Sequence, residues 1–242
     1  MSKNILVTGV SQGLGLAISS SLAEAGWSVY GVSRRHSPEY AVLQGRYPDR
    51  VHFHEFDLGC VDRVKQDLFG RFVPFGTVLH GYVNNAAMAY DDLVTNLDAN
   101  RLRAMYEVNV FAPMMVTKYA IRHMLLHRVQ GSVIHISSIS AHTGYKGLAM
   151  YASTKGALEA FSKNTAREWG ERGIRSNCLV AGFMETAMSD KLNEEQRQRI
   201  YNRTALKQAT KLDSVADTVA FLLGDGATSI TGQNIFVDSG TI

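Results

Sequence analysis

Seven apolar runs of strand length, most of them separated by a stretch of helical periodicity, constrain this chain more than any other feature. The runs are "NILVTG" (4–9), "SVYGVS" (28–33), "VHFHEFDL" (51–58), "VLHGYVNNA" (78–86), "GSVIHISS" (131–138), "IRSNCLVAG" (174–182) and "QNIFVDSG" (233–240). Segments 13–26, 60–73, 98–127, 151–172 and 213–224 repeat apolar residues at the spacing that gathers them on one face of a helix. A chain that alternates strand and helix pairs its strands in parallel, each helix returning the chain across the sheet in a right-handed crossover. Several runs are apolar nearly throughout rather than at every second position, which suits strands covered on both faces. The expected fold is α/β: a doubly wound parallel sheet with helices on both faces, in one domain spanning 1–242.

One stretch breaks the pattern. Residues 184–212, "METAMSDKLNEEQRQRIYNRTALKQATKL", are polar and charged, longer than an ordinary connection, and are expected to form a substrate lid. Elsewhere composition mainly excludes. The net charge of +3 comes from interspersed lysines, arginines and carboxylates, so the basic cluster of a nucleic-acid binder is missing. Cys60 and Cys178 are the only cysteines and neither sits in a CxxC, which gives no support to a disulfide framework or zinc site. No apolar run reaches the roughly 18 residues of a membrane span, and "MSKNILVTGV" carries no signal-peptide pattern, so a soluble cytoplasmic protein is expected.

The first strand runs directly into "TGVSQGLGLA" (8–17). Glycines at such a turn allow unusual backbone angles and close approach, while free N–H groups and the helix dipole attract phosphate. Gly9, Ser11, Gln12, Gly13, Leu14 and Gly15 are therefore candidate cofactor-binding residues of a Rossmann-type dinucleotide site, with spacing G-x-x-x-G-x-G and no Walker lysine. The second strand ends in Ser33-Arg34-Arg35, where a carboxylate would accept from an adenine-side ribose. Guanidinium groups there suit a 2′-phosphate, which argues for NADP(H) over NAD(H). Asp57, followed by Leu58, is placed to accept from the adenine amino group, and "NNAA" (84–87) offers Asn85, Ala86 and Ala87 as a small-residue floor for a ribose. All lie at carboxyl ends of expected strands, where open parallel sheets bind ligands.

Tyr151 and Lys155 in "YASTK" share a helix face, and Ser138 closes the strand upstream. A free phenol titrates near about 10, so a tyrosine working near neutrality needs a cation that favours phenolate. Lys155 is placed to supply it and to hold the nicotinamide ribose, while Ser138 is placed to hydrogen-bond the substrate oxygen.

With these motifs together, the chain resembles the short-chain dehydrogenase/reductase family along essentially its whole length. "TGVSQGLG", "NNAA", Asn109 in "YEVNVFAP", Ser138 in "ISS", "YASTK" and "VAGFMET" occur in the family's order. The resemblance implies a catalytic tetrad of Asn109, Ser138, Tyr151 and Lys155, with Asn109 helping to hold a water that relays protons towards Lys155. It also implies cofactor contacts from Ala181, Gly182, Met184 and Thr186, and a homo-oligomer, usually a tetramer. Two positions depart from the pattern: Ala87 stands where the family has glycine, and Ala181 where it has a proline. The implied reaction is NADPH-dependent reduction of a ketone with Tyr151 as proton donor.

Within the family, "GFMETAM", "AREWGERGIRSN" and "ITGQNIFVDSG" resemble the 3-oxoacyl-[acyl-carrier-protein] reductases of fatty acid biosynthesis. That likeness implies an acyl carrier protein as partner, received by basic residues beside the entrance, for which Arg128 and Arg172 are candidates. A free sugar, steroid, polyol or other small ketone or alcohol is the alternative substrate. An NADP-sensing module without turnover is the alternative outside enzymes. A nucleotide-sugar epimerase suits a longer chain with a differently spaced glycine motif. His123 and His127 lack the glutamate and further ligand of a zinc site, so no metal is expected, and they read as a core-edge helix face.

Overall fold

A computed structural model describes residues 2–186 and 192–242. Among these residues seven strands form one sheet, every pairing parallel. They are β1 (Asn4–Thr8), β2 (Ser28–Ser33), β3 (Val51–Glu55), β4 (Gly81–Asn84), β5 (Ser132–Ser138), β6 (Arg175–Ala181) and β7 (Asn234–Val237). The helices are α1 (Gly13–Glu24), α2 (Pro38–Arg46), α3 (Val64–Asp67), α4 (Ala99–Tyr106), α5 (Ala112–Leu126), α6 (Ala149–Trp169), α7 (Glu194–Tyr201) and α8 (Leu212–Leu223). The sheet order β3-β2-β1-β4-β5-β6-β7 reverses direction between β1 and β4. The crossovers on either side of that point leave in opposite directions, which opens a crevice at the carboxyl ends of β1 and β4.

Consecutive residues of β1 explain why the runs are apolar without alternation. Ile5 and Val7 pack into one core with Ile18 and Leu22 of α1 and Val219 and Leu222 of α8. Leu6 packs through the other face with Tyr82, Val116, Ala120 and Met124. Burying each such side chain stabilises the fold by about 1.5–3 kcal/mol, so both faces are held with similar force.

Two helices appear where the periodicity showed none. Ser37 caps α2, its Oγ accepting from the Tyr40 N–H at 3.1 Å, and Pro38 begins the helix. The Ser-Pro-Glu start was legible as a cap followed by a first-turn proline. Helix α7 lies inside the expected lid and opens on a capping box of Asn193 and Gln196. Residues 187–191 of that lid lie outside the described residues. Its later part is anchored: Thr204 and Thr210 are buried, and the Ala205 and Leu206 N–H groups donate to Gly240 and Ser239 carbonyls at 2.8 and 3.1 Å. The expected helix over 98–127 is interrupted by a π turn at Glu107–Phe111. No helix among the described residues is long and apolar enough to cross a membrane.

His135 on β5 is fully buried beneath α6, and burial, helped by the Lys155 charge, holds its imidazole down at about 3. Burial lowers His52, His80 and His123 as well. The unfolded chain takes up these protons near the usual 6.5 and the fold does not, so stability is lost as pH falls from about 6.5 towards 3. Thermal melts across that interval should show the loss. His135→Leu should lose less over the same interval, whatever its melting temperature at neutral pH.

Candidate active site

The site begins where β1 stops. The chain turns at Gly9 with φ 75° and enters α1 at Gly13 with φ 56°. A Cβ on Gly15 would run into the Gly9 carbonyl oxygen, and one on Gly9 would come within 2.8 Å of Ala86 Cα and Asn85 Nδ2. The first turn of α1 thus lies flat against the strand end. Gln12 precedes it without a side-chain cap, so the leading N–H groups are left for an anion.

Two residues brace this turn, and the sequence reading missed one. Thr8 Oγ1 accepts from the Asn85 and Ala86 N–H groups, each at 3.2 Å. Asn85 Nδ2 donates to the Thr8 and Gly9 carbonyls at 3.0 and 3.1 Å. The Asn85 side-chain N–H groups are thus spent on the glycine turn. Thr8, a hydroxyl directly before the first glycine, was the available cue. Ala86 and Ala87 are half-buried beside it.

At the end of β2, Ser33 Oγ accepts from the Ser11 N–H at 3.2 Å, tying the second strand to the turn. Arg34 and Arg35 are exposed, with no ion pair among the described residues. Arg34 lines a cleft of about 360 Å³ with Glu55, Phe56, Asp57, Cys60 and Arg63. Asp57 Oδ1 accepts from the Gly59 N–H at 2.9 Å, fixing the carboxylate at the cleft wall. Leu14 and Leu58 are core side chains, 7% and 6% exposed, leaving only their backbones to face a ligand. These features fit an adenosine with a phosphate on its ribose.

Ser138 ends β5, and its Oγ accepts from Ser140 N and Ser140 Oγ at 3.2 and 3.1 Å, so its own O–H remains to donate. Helix α6 carries Tyr151 in its first turn and Lys155 one turn on. Lys155 is 2% exposed; its Nζ donates to the Ile136 carbonyl at 2.8 Å and sits 5.5 Å from the Tyr151 ring centre. Burial pushes the Lys155 ammonium down to about 8. Tyr151 moves the other way, its phenol held above the ordinary value by burial and by the Asp91 carboxylate. The expected drift towards phenolate is therefore corrected: burial and the Asp91 carboxylate keep the Tyr151 phenol protonated.

Asn109 is buried at the π turn before α5, a distortion that re-aims its side chain. Its Nδ2 donates to the Met88 carbonyl at 2.8 Å and Thr154 Oγ1 at 3.1 Å, and its Oδ1 accepts from Met88 N at 2.7 Å. Asn109 thereby clamps the segment after β4 to α6, with Thr154 as an unforeseen partner. Ala181, the last residue of β6, pairs beside Ser138; after it Gly182 N donates to Val237 O at 3.0 Å, and Met184 packs on the core. Thr186 comes over the turn, its Cγ2 3.5 Å from where a Gly13 Cβ would stand.

Arg128 and Arg172 are not brought to this end. Arg128 follows α5 with φ 55°, its N–H closing the helix on Leu125 O at 3.1 Å, and Arg172 ends the turn Gly170–Arg172. They precede the amino ends of β5 and β6, whereas Ser138 is at the carboxyl end of β5. A strand of this length separates them by about 20 Å, so within one chain the expected place beside the entrance is corrected. His123 and His127, with rings 4.7 Å apart, lie at the last turn of α5 against Phe69 and Phe75.

Residues 9–241 match the family model described as enoyl-(acyl carrier protein) reductase. Nodulation protein G of a Rhizobium species is 31% identical, over 98% of this chain and 96% of that protein. L-xylulose reductase of Caenorhabditis elegans is 30% identical, over 98% and 95%. The 3-oxoacyl-[acyl-carrier-protein] reductase FabG of Escherichia coli is 31% identical, over 98% and 96%. Among solved structures, ElxO with NADP bound superposes with a TM-score of 0.91 at 26% identity, covering 100% of this chain and 99% of that one. A short-chain dehydrogenase/reductase from Serratia marcescens gives 0.90 at 28%, covering 99% and 97%.

Because Thr8 Oγ1 satisfies two N–H groups, Thr8→Val should cost about 2 kcal/mol in urea unfolding, while Thr8→Ser should stay close to wild type.

Proposed function

We propose that this chain, which belongs to the short-chain dehydrogenase/reductase family, is an NADPH-dependent carbonyl reductase that turns a ketone into a secondary alcohol. The observation that carries this reading is the buried Lys155, held on the Ile136 carbonyl with its Nζ 5.5 Å from the Tyr151 ring centre, on the helix that follows the Ser138 end of β5. A neutral phenol is the form that reduction needs. NADPH, when bound, supplies the hydride.

The chain's own residues supply binding, orientation and the proton. The α1 turn would offer N–H groups to the diphosphate, Arg34 and Arg35 would hold the 2′-phosphate, and Asp57 would accept from the adenine. Ser138 donates its O–H to the carbonyl oxygen, stabilising charge as it develops, and Tyr151 gives up the phenol proton. The Lys155 ammonium stabilises the phenolate left behind and has N–H groups beyond the one on Ile136 for a ribose hydroxyl. Asn109 and Thr154 keep the segment after β4 against α6.

For the substrate we propose a 3-oxoacyl thioester, on the likeness to the FabG reductases; a carrier protein, a cytoplasmic place in fatty acid biosynthesis and a homotetramer belong to the same proposal. A polyhydroxylated small ketone is the second reading. It is favoured by the Asp91 carboxylate acting on Tyr151, a group suited to hydroxyls, and by the distance of Arg128 and Arg172 from the site. Assays of a 3-oxoacyl thioester and of ketoses such as xylulose, each with NADPH and NADH, separate the readings. NADPH should be preferred, and reduction of neither class would reject both substrates.

Tyr151→Phe should cut kcat by about 10³-fold while leaving the Kd for NADPH within about twofold. The kcat/KM for NADPH, which reports the free enzyme, should hold up to about pH 8 and fall above it. Below that pH the Lys155 ammonium is present, and above it the charge is lost.

A further inference from the structure

We infer that Glu159 is a positioning residue for reduction, holding Ser138 at a set height against the helix that carries Tyr151 and Lys155. Glu159 sits one turn beyond Lys155 on α6 and is 8% exposed, an unusual place for a carboxylate. Three donors converge on it. Ser137 Oγ, from the residue just before Ser138, donates to Oε1. His142 Nε2, from the turn just after Ser138, lies 3.0 Å from Oε1 and 2.9 Å from Oε2. Asn234 Nδ2, at the start of β7, donates to Oε2 at 2.6 Å.

The carboxylate thus grips the chain on both sides of Ser138 and fastens it to α6 and β7. The His142 ring also meets the Phe236 ring edge-on at 4.8 Å, so the turn is held by packing as well. Such a buried hub acts on the serine without touching substrate. The chemistry that requires it is geometric: Ser138 and Tyr151 must address one oxygen from two different elements, and a displacement of about 1 Å can cost about 10²-fold in rate. Asn234 Oδ1 has no hydrogen-bond partner, so turning that amide over would let it accept from an amide at position 159.

The inference rests on the carbonyl-reductase reading. Glu159→Leu, of similar size, should fold, bind NADPH with a Kd within about twofold, and lose at least about tenfold in kcat. Glu159→Gln should keep about half of wild-type kcat or more, because its oxygen can accept from Ser137 and its amide can meet a turned Asn234. His142→Phe, which keeps a ring against Phe236 but not the bond to Glu159, should show a smaller loss confined to kcat. In a double-mutant cycle with Ser138→Ala, the Glu159→Leu loss should largely vanish, since it acts through that serine. Wild-type kcat in Glu159→Leu, a loss shared equally by NADPH affinity, or full additivity with Ser138→Ala would overturn the assignment. Should Glu159→Leu not fold, an unchanged kcat in His142→Phe overturns it instead. A fully active Tyr151→Phe enzyme would remove the underlying reading, whereas an inactive one beside a fully active Glu159→Leu would remove only this inference.

Discussion

The site depends on the contact between the first turn of α1 and the end of β1. No side chain fits between Gly15 and the Gly9 carbonyl oxygen, so the helix starts against the strand with its N–H groups unspent. Thr8 and Asn85 hold that arrangement by hydrogen bonds across from β4. Because the sheet order reverses between those two strands, the braced turn also forms the floor of the crevice. Ser33 then joins the β2 end to it through Ser11.

Around that floor the fold buries polar groups where an apolar core would be easier to build. Lys155, Asn109, His135 and Glu159 are all buried. Lys155 is satisfied by a strand carbonyl, Asn109 by the Met88 backbone and Thr154, and Glu159 by three donors. Buried polar groups with partners confine the backbone more tightly than dispersion does, because each lost bond leaves a group stranded without water. The same burial shifts Tyr151 and Lys155: it disfavours the charged form of each, raising the phenol and lowering the ammonium.

Much of this was legible before any coordinates. Strands buried on both faces write themselves as unbroken apolar runs, and all seven were found where those runs lie. Glycine spacing marked the tight turn after β1 because only glycine permits the approach. The Ser-Pro start of helix α2 was a legible cap, whereas the π turn at Asn109 spans only Glu107–Phe111, too short a window for its wider spacing to stand out from the helical repeat on either side. The segment 184–212 stood out by its polarity, but where its later part is pinned depends on Gly240 and Ser239 at the other end of the chain.

By itself the sequence determined the alternation of strand and helix, the glycine turn after β1, the arginine pair after β2 and the Ser138, Tyr151 and Lys155 set, because each is a local pattern of residue types. Tertiary structure alone decided the rest. It spent the Asn85 amide on the turn, kept the Tyr151 phenol protonated by burial, carried Arg128 and Arg172 to the opposite pole, and gathered Ser137, His142 and Asn234 around Glu159. Those outcomes turn on which groups lose water together and at which end of a strand they stand. Neither is set by local pattern, and both follow once the strands take their order in the sheet.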